Sequence, residues 1–277
     1  MYPDRLFEIT IFGKVYGPTM YGIMIAVGLL CAMGVLYKYG KKMGLSLSFI
    51  DFIFYDGIAS IALGFGSAIL FQAFYNYLAD PSRPFSEYIG SGMTFIGGLI
   101  GGAAVFLIIY FIRRKRLDGR LINALSTIPC SILVGHAFGR IGCFFANCCY
   151  GKPTDSFLGV KFPDLPYKVH ATQLYEAAFL FILFGVCSYL LLKKKFRHNL
   201  SLYLVCYGIF RFLLEYLRGD ERGELVLGIS PSQFWSLLMV VIGVALYFAM
   251  EKLFPVKKSE EAAEEAPAEG FADNAEE

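Results

Sequence analysis

Residues 95–120 read FIGGLIGGAAVFLIIYFIRRKRLDGR. An uncharged apolar run over 95–112 leads directly into Arg113, Arg114, Lys115 and Arg116, with Arg120 close behind. A bilayer core takes about 20 mostly apolar residues as a helix. Basic residues just beyond the end of such a helix hold that end on the cytoplasmic side. This one stretch therefore points to both a fold class and an orientation. Working outward, the pattern recurs: apolar spans are predicted at about 20–37, 49–75, 95–112, 121–139, 171–192, 200–217 and 231–254. Lys38, Lys41 and Lys42 follow the first, Lys193, Lys194, Lys195 and Arg197 the fifth, and Lys257 and Lys258 the seventh. With seven spans all four basic clusters fall on one side, whereas six or eight would divide them. The expectation is an all-α integral membrane protein of seven transmembrane helices, with its N-terminus outside and its C-terminus cytoplasmic.

Composition agrees. The chain is 56% hydrophobic with a mean hydropathy of +0.55, above the about 45–50% apolar content of soluble domains. Residues 259–277 hold 8 of the 23 acidic residues and no Lys or Arg, leaving 25 basic against 15 acidic residues in the body. A basic body interleaved with apolar spans suits an anionic membrane surface or an anionic substrate, not nucleic acid. Residues 1–257 are expected to form one transmembrane domain and 258–277 a disordered acidic cytoplasmic tail, because the tail has little apolar area to bury. The N-terminal MYPDRLFEIT lacks the basic region and short apolar core of a cleaved signal, so the first span is expected to be retained.

The chemistry-bearing segment is GHAFGRIGCFFANCCYGK, residues 135–152. Arg140 has the planar guanidinium that grips a phosphate through two donors. Gly139, Gly142 and Gly151 let backbone approach a ligand. Cys143, Cys148 and Cys149, with His136, can be read as a metal site, although this spacing matches no standard zinc pattern. A Cys143–Cys148 disulfide on an outer face and a reactive thiol beside Arg140 are the other readings of the same residues. The seven cysteines give no even framework. Cys31, Cys187 and Cys206 lie in apolar helices and are expected to act as small buried hydrophobes.

In the sixth span, Tyr207, Arg211, Glu215 and Arg218 recur at spacings of four, four and three, on one helical face. A charge at mid-membrane costs about 2.5–3.5 kcal/mol on insertion scales, so such residues face a polar interior and serve a function. Glu215 can orient Arg211. The fifth span opens HATQLYE, with Gln173 and Glu176 three apart and His170 or Thr172 as possible caps. Ser230-Pro231 opens the seventh with proline in its first turn. In the third, Gly97/Gly101 and Gly98/Gly102 form two GxxxG pairs, which favour close helix packing and leave room beside the helix for lipid.

Taken together, these residues resemble the bacterial prolipoprotein diacylglyceryl transferases. The resemblance rests on Tyr21-Gly22, Gly97-Gly98-Leu99-Ile100-Gly101, Gly139-Arg140-Ile141-Gly142 with Phe144 and Gly151, His170 with Thr172-Gln173-Leu174-Tyr175-Glu176, and Arg211, Glu215 and Arg218. It implies transfer of the diacylglyceryl group of phosphatidylglycerol to the lipobox cysteine thiol of a preprolipoprotein signal peptide, releasing glycerol phosphate in the bacterial plasma membrane. By resemblance Arg140 and Arg211 hold the lipid phosphate, with Glu215 orienting Arg211. Tyr21 and Tyr207 line the headgroup cavity and Gly151 keeps it open. Gly98, Gly142, Cys143, Gln173 and Arg218 complete the expected substrate-binding set. No metal and no cofactor are called for. The departures cluster. Ile96 stands where the family commonly has His, Cys143 where it has Asn, Ala146-Asn147-Cys148 where it has Asn-Gly-Glu, and Ala171 where it has Pro. Residues 66–68 offer no counterpart to the family's helix-two Arg. The phosphate-binding half is thus kept and the proton-handling half replaced. The alternatives are a paralogue with another acceptor, and a non-catalytic membrane protein that binds anionic lipid or moves a small solute.

Overall fold

A computed structural model describes residues 6–7, 9–11, 14–219 and 229–254. The acidic tail and the side chain of Ile96 lie outside the described residues. The chain is mostly helical. Two small antiparallel hairpins qualify the all-α expectation: β1 (Ile9–Ile11) pairs with β2 (Lys14–Tyr16), and β3 (Gly159–Lys161) with β4 (Lys168–His170). The helices are α1 (Met20–Lys42), α2 (Leu47–Ala79), α3 (Phe95–Arg113), the single turn α4 (Leu121–Ala124), α5 (Ile128–Phe145), α6 (Thr172–Lys194), α7 (Asn199–Leu214) and α8 (Pro231–Leu253). Six of them, α1, α2, α5, α6, α7 extended to Leu217, and α8, are long and apolar enough to cross a membrane. The described apolar part of α3, Gly97–Arg113, is shorter. This is a multi-pass membrane protein.

Local sequence explains the ends. Thr19, Ser46 and Ser230 each accept a backbone N–H of the first turn they precede, and at Ser230 the Gln233 side chain returns the bond as a full capping box. The fourth span departs from its expected bounds of 121–139. Pro129 has no N–H to donate into a continuing helix, so the chain makes the short α4 and restarts with proline in the first turn of α5. The restart carries α5 on to Phe145. Arg140 therefore lies inside the last turns of a helix, rather than beyond its end. The expected caps of α6 are also corrected: Ala171 occupies the cap position with no side-chain bond, because the Thr172 hydroxyl donates to the Cys149 carbonyl instead.

Packing runs through glycine. α1 lies along α5, where a Cβ at Gly28 would stand 2.9 Å from Phe138 Cβ and 3.1 Å from the Gly135 carbonyl. α7 lies along α8 with Gly208 against Ser236 and Val240, and Gly243 against Leu204 and Val205. α5, α6 and α7 share a core of Cys130, Leu133, Ala137, Leu180, Leu183, Cys187, Tyr203 and Tyr207. Cys187 is buried as expected, while Cys31 and Cys206 are only partly so.

α2 pairs with α3 as the GxxxG pattern predicts, Gly64 facing Gly98 and Gly102. A Cβ at Gly64 would meet the Gly98 carbonyl at 2.9 Å, and backbone cannot step aside as a side-chain tip can. Gly64→Leu is expected to lower stability by about 1–3 kcal/mol through overpacking, read as a drop in the unfolding midpoint in detergent. An unchanged midpoint would show that the two helices do not meet there.

Candidate active site

The polar residues within the spans converge where α5 ends, α6 begins, α7 ends and α8 begins. Glu176, one turn into α6, is 1% exposed. Its Oε1 accepts the Tyr207 hydroxyl at 2.6 Å and lies 3.0 Å from Arg140 Nε and 3.7 Å from His136 Nε2. The His136 and Tyr207 rings meet edge to face at 5.1 Å. His136 and Arg140, four apart on α5, thus present one face to α6 and α7. A carboxylate this buried needs partners, and here a guanidinium and a hydroxyl take the place of its water.

A second ion pair lies beside the first. Arg211 Nη1 stands 2.7 Å from Glu215 Oε2, and its Nη2 donates to Ser232 Oγ at 3.2 Å. Ser230 Oγ donates to Glu215 Oε1 at 3.0 Å while also capping α8. The chain tightens into a 3-10 turn over Glu215–Leu217 and leaves it extended at Arg218. The two ion pairs are joined through α7, which carries both Tyr207, bonded to Glu176, and Arg211 one turn later.

Beyond these pairs lies the loop that follows α5. Gln173 Nε2 donates to the Cys148 carbonyl at 2.5 Å and Thr172 Oγ1 to the Cys149 carbonyl at 2.7 Å. Gly151 N donates to the His170 carbonyl at 2.8 Å, Lys152 N to the Leu217 carbonyl at 2.8 Å, and Gly151 bridges to Arg218. A Cβ on Gly151 would press on the Leu217 carbonyl, and would lie 2.8 Å from Thr172 Cγ2 and 3.0 Å from His170 Cβ. Gly151 is therefore where three segments meet. Asn147 (φ 53°) and Cys149 (φ 64°) take left-handed backbone, turning the loop back on α5. The sulfurs of Cys143, Cys148 and Cys149 lie within 4.8 Å of one another, and all three are free thiols. The Cys149 thiol is held below the ordinary thiol range by hydrogen bonds from Cys143 and Cys148 and by the Arg218 guanidinium against it. Cys148, hydrogen-bonded to the other two, is pushed up.

Set against the sequence expectations, Arg140 and Tyr207 meet at Glu176, and Arg211 pairs with Glu215 one turn further along α7. Gln173, Cys143, Gly151 and Arg218 meet around the loop that follows α5. Gly142 and Gly139 face α1, with a Cβ at Gly142 meeting Tyr21 Cδ2 at 3.1 Å and one at Gly139 meeting Ile25 at 3.7 Å. Both are helix-packing positions, and Tyr21 is joined to the signature through Gly142. Gly98 lies apart, in an apolar groove of about 570 Å³ between α2 and α3 with Gly64, Ala68, Met93 and Leu99. His136 does not join the cysteines. Ser230 and Ser232 were read only as part of a helix start, and Glu176, named at the opening of the fifth span, was left out of the expected site. Glu176 did carry a signal, an acid one turn inside an apolar span.

A family model described as prolipoprotein diacylglyceryl transferase matches residues 10–249. The chain belongs to the prolipoprotein diacylglyceryl transferase family. It is 36% identical over 250 residues to the phosphatidylglycerol–prolipoprotein diacylglyceryl transferase of Clostridium tetani (strain Massachusetts / E88), covering 87% of this chain and 95% of that protein. It is 32% identical over 248 residues to transferase 2 of that name from Clostridium perfringens (strain 13 / Type A), covering 86% and 93%. The Coxiella burnetii (strain RSA 331 / Henzerling II) member is 33% identical over 244 residues, covering 83% and 90%. The site described above falls wholly within the matched residues.

Proposed function

We propose that this chain transfers the diacylglyceryl group of phosphatidylglycerol to the lipobox cysteine thiol of a preprolipoprotein signal peptide, releasing glycerol phosphate. The observation that carries the reading is the pair of guanidiniums, Arg140 and Arg211, each held by its own carboxylate, with the two pairs joined through α7. A phosphate ester leaving group gathers negative charge as its C–O bond breaks. Two fixed cations in a site shielded from water stabilise that charge without reorganising. Glu215, Ser230 and Ser232 hold Arg211, and Glu176 with Tyr207 holds Arg140. The same positive field favours the thiolate of an entering thiol. Gln173, Cys143, Gly151 and Arg218 border the mouth through which the peptide enters, and Tyr21 with Gly142 closes its α1 side. Gly98, lining the apolar groove, is assigned to the acyl chains.

In this reading the chain spans the bacterial plasma membrane seven times, α3 crossing in addition to the six longer helices, with the N-terminus outside. Supporting it, the described basic clusters after α1, α3 and α6 share one side in a seven-span arrangement, and the site lies at the opposite end of the bundle. The experiment is a transfer assay with purified protein, phosphatidylglycerol vesicles and a lipobox peptide, following glycerol phosphate. Release that needs the peptide cysteine is expected. Lipid binding with no release would leave the chain a lipid-binding protein.

A further inference from the structure

We propose that Cys143, Cys148 and Cys149 form a three-thiolate zinc site whose fourth position takes the thiol of the incoming acceptor. The inference rests on the transferase reading above, and departs from the sequence expectation of no metal. Their spacing hides the site, since four residues and then none separate them. The two left-handed residues, Asn147 and Cys149, undo that handicap by folding the loop against the last turn of α5. Non-glycine residues in that region are costly and persist where the surroundings hold them. Here Gln173 and Thr172 clamp the carbonyls of Cys148 and Cys149 from the first turn of α6.

The geometry suits the ion. Three sulfurs at about 2.3 Å from one zinc stand about 3.8 Å apart in a tetrahedron, and these three lie within 4.8 Å of one another. Thiolate ligands select zinc over harder divalent ions. Three protein ligands leave a fourth position open, the pattern of reactive rather than structural zinc. The Asn147 side chain, next to Cys148, has both its amide nitrogen and oxygen buried with no partner.

Place decides the role. Cys143 follows Arg140 by three residues on α5, and Gln173 precedes Glu176 by three on α6. Three residues of helix rise about 4.5 Å, so the sulfurs sit about one turn outward of the arginine pairs. An acceptor thiol entering there meets the zinc before it meets the lipid phosphate. Coordination releases its proton to solvent and leaves a thiolate. The sulfur lone pair then forms the S–C bond to the glyceryl carbon. The C–O bond to phosphate breaks, its electron pair departs on the phosphate held by Arg140 and Arg211, and the neutral thioether, a weaker ligand, leaves the metal. No oxidant or reductant is needed. This supplies the thiol activation that Ile96 cannot.

The test uses the full chain, purified reduced in detergent and titrated with zinc or cobalt(II). About one metal per chain is expected, lost when Cys143, Cys148 and Cys149 are together replaced by serine and retained in Cys31→Ser. The cobalt spectrum should change when the lipobox peptide is added and stay unchanged with its Cys→Ser version. No metal uptake by the reduced wild-type chain overturns the site, whatever the variants do. So does mass spectrometry finding a Cys143–Cys148 disulfide in protein taken from cells. Uptake with a cobalt spectrum blind to the peptide thiol overturns the fourth-ligand role. Metal uptake with the spectral change but no glycerol phosphate release overturns the transferase reading and leaves the zinc site standing.

Discussion

Arg140→Ala is expected to lower glycerol phosphate release by about 10²–10³-fold, the usual cost of removing one preorganised charge-stabilising donor. Arg211→Ala is expected to do the same. The two losses should differ in kind from a loss of lipid binding. Each guanidinium is already held before substrate arrives: Arg140 Nε by Glu176 at 3.0 Å and Arg211 Nη1 by Glu215 at 2.7 Å. Little ordering remains to be done at the moment of reaction, so their contribution falls mainly on the charge that develops on the leaving phosphate. The measurement is steady-state turnover with phosphatidylglycerol and a lipobox peptide, in parallel with vesicle binding. Lysine at either position should recover only part of the rate, because an ammonium lacks the forked donors that span two phosphate oxygens. Alanine variants that turn over at the wild-type rate would remove both arginines from the mechanism.

Glu176→Ala is expected to be the most destabilising single change among the site residues, by about 3–5 kcal/mol, the range found when one partner of a buried ion pair is removed. Arg140 would be left without its carboxylate and the Tyr207 hydroxyl without its acceptor, inside the packing of α5, α6 and α7. Glu176→Gln keeps an oxygen for Tyr207 but not the charge, and should cost less, about 1–3 kcal/mol. Unfolding midpoints in detergent for the two variants and the parent decide the matter. Alanine as stable as the parent would mean that the carboxylate is not paired as described. Turnover of Glu176→Gln, compared at a temperature where it is folded, separates the structural part of Glu176 from its hold on Arg140.

The helical membrane class was legible because it needs only apolar length and the placement of Lys and Arg, both properties of consecutive residues. The glycine seams were legible for a similar reason: a GxxxG pair marks a helix face wherever its partner lies, and α2 against α3 follows. Arg211 with Glu215 was readable as an i, i+4 pair. The hold on Arg140 was not. Its carboxylate lies 36 positions later in the chain, on a different helix. The bounds of α5 were also misread, because Gly139 and Gly142 look like chain breakers until α1 is packed against them.

What the sequence by itself determined is therefore the family, the membrane-spanning character and the Arg211–Glu215 pair, since each is written in local pattern or in motif order. Only the tertiary structure decided which carboxylate serves which guanidinium, that Gly142 packs on Tyr21, that Gly98 belongs to a groove between α2 and α3, and that three cysteines with an unpromising spacing share one point. Each of these depends on distances between elements far apart in the chain, set by helix packing and by two left-handed turns in one loop, and residue spacing carries no record of either.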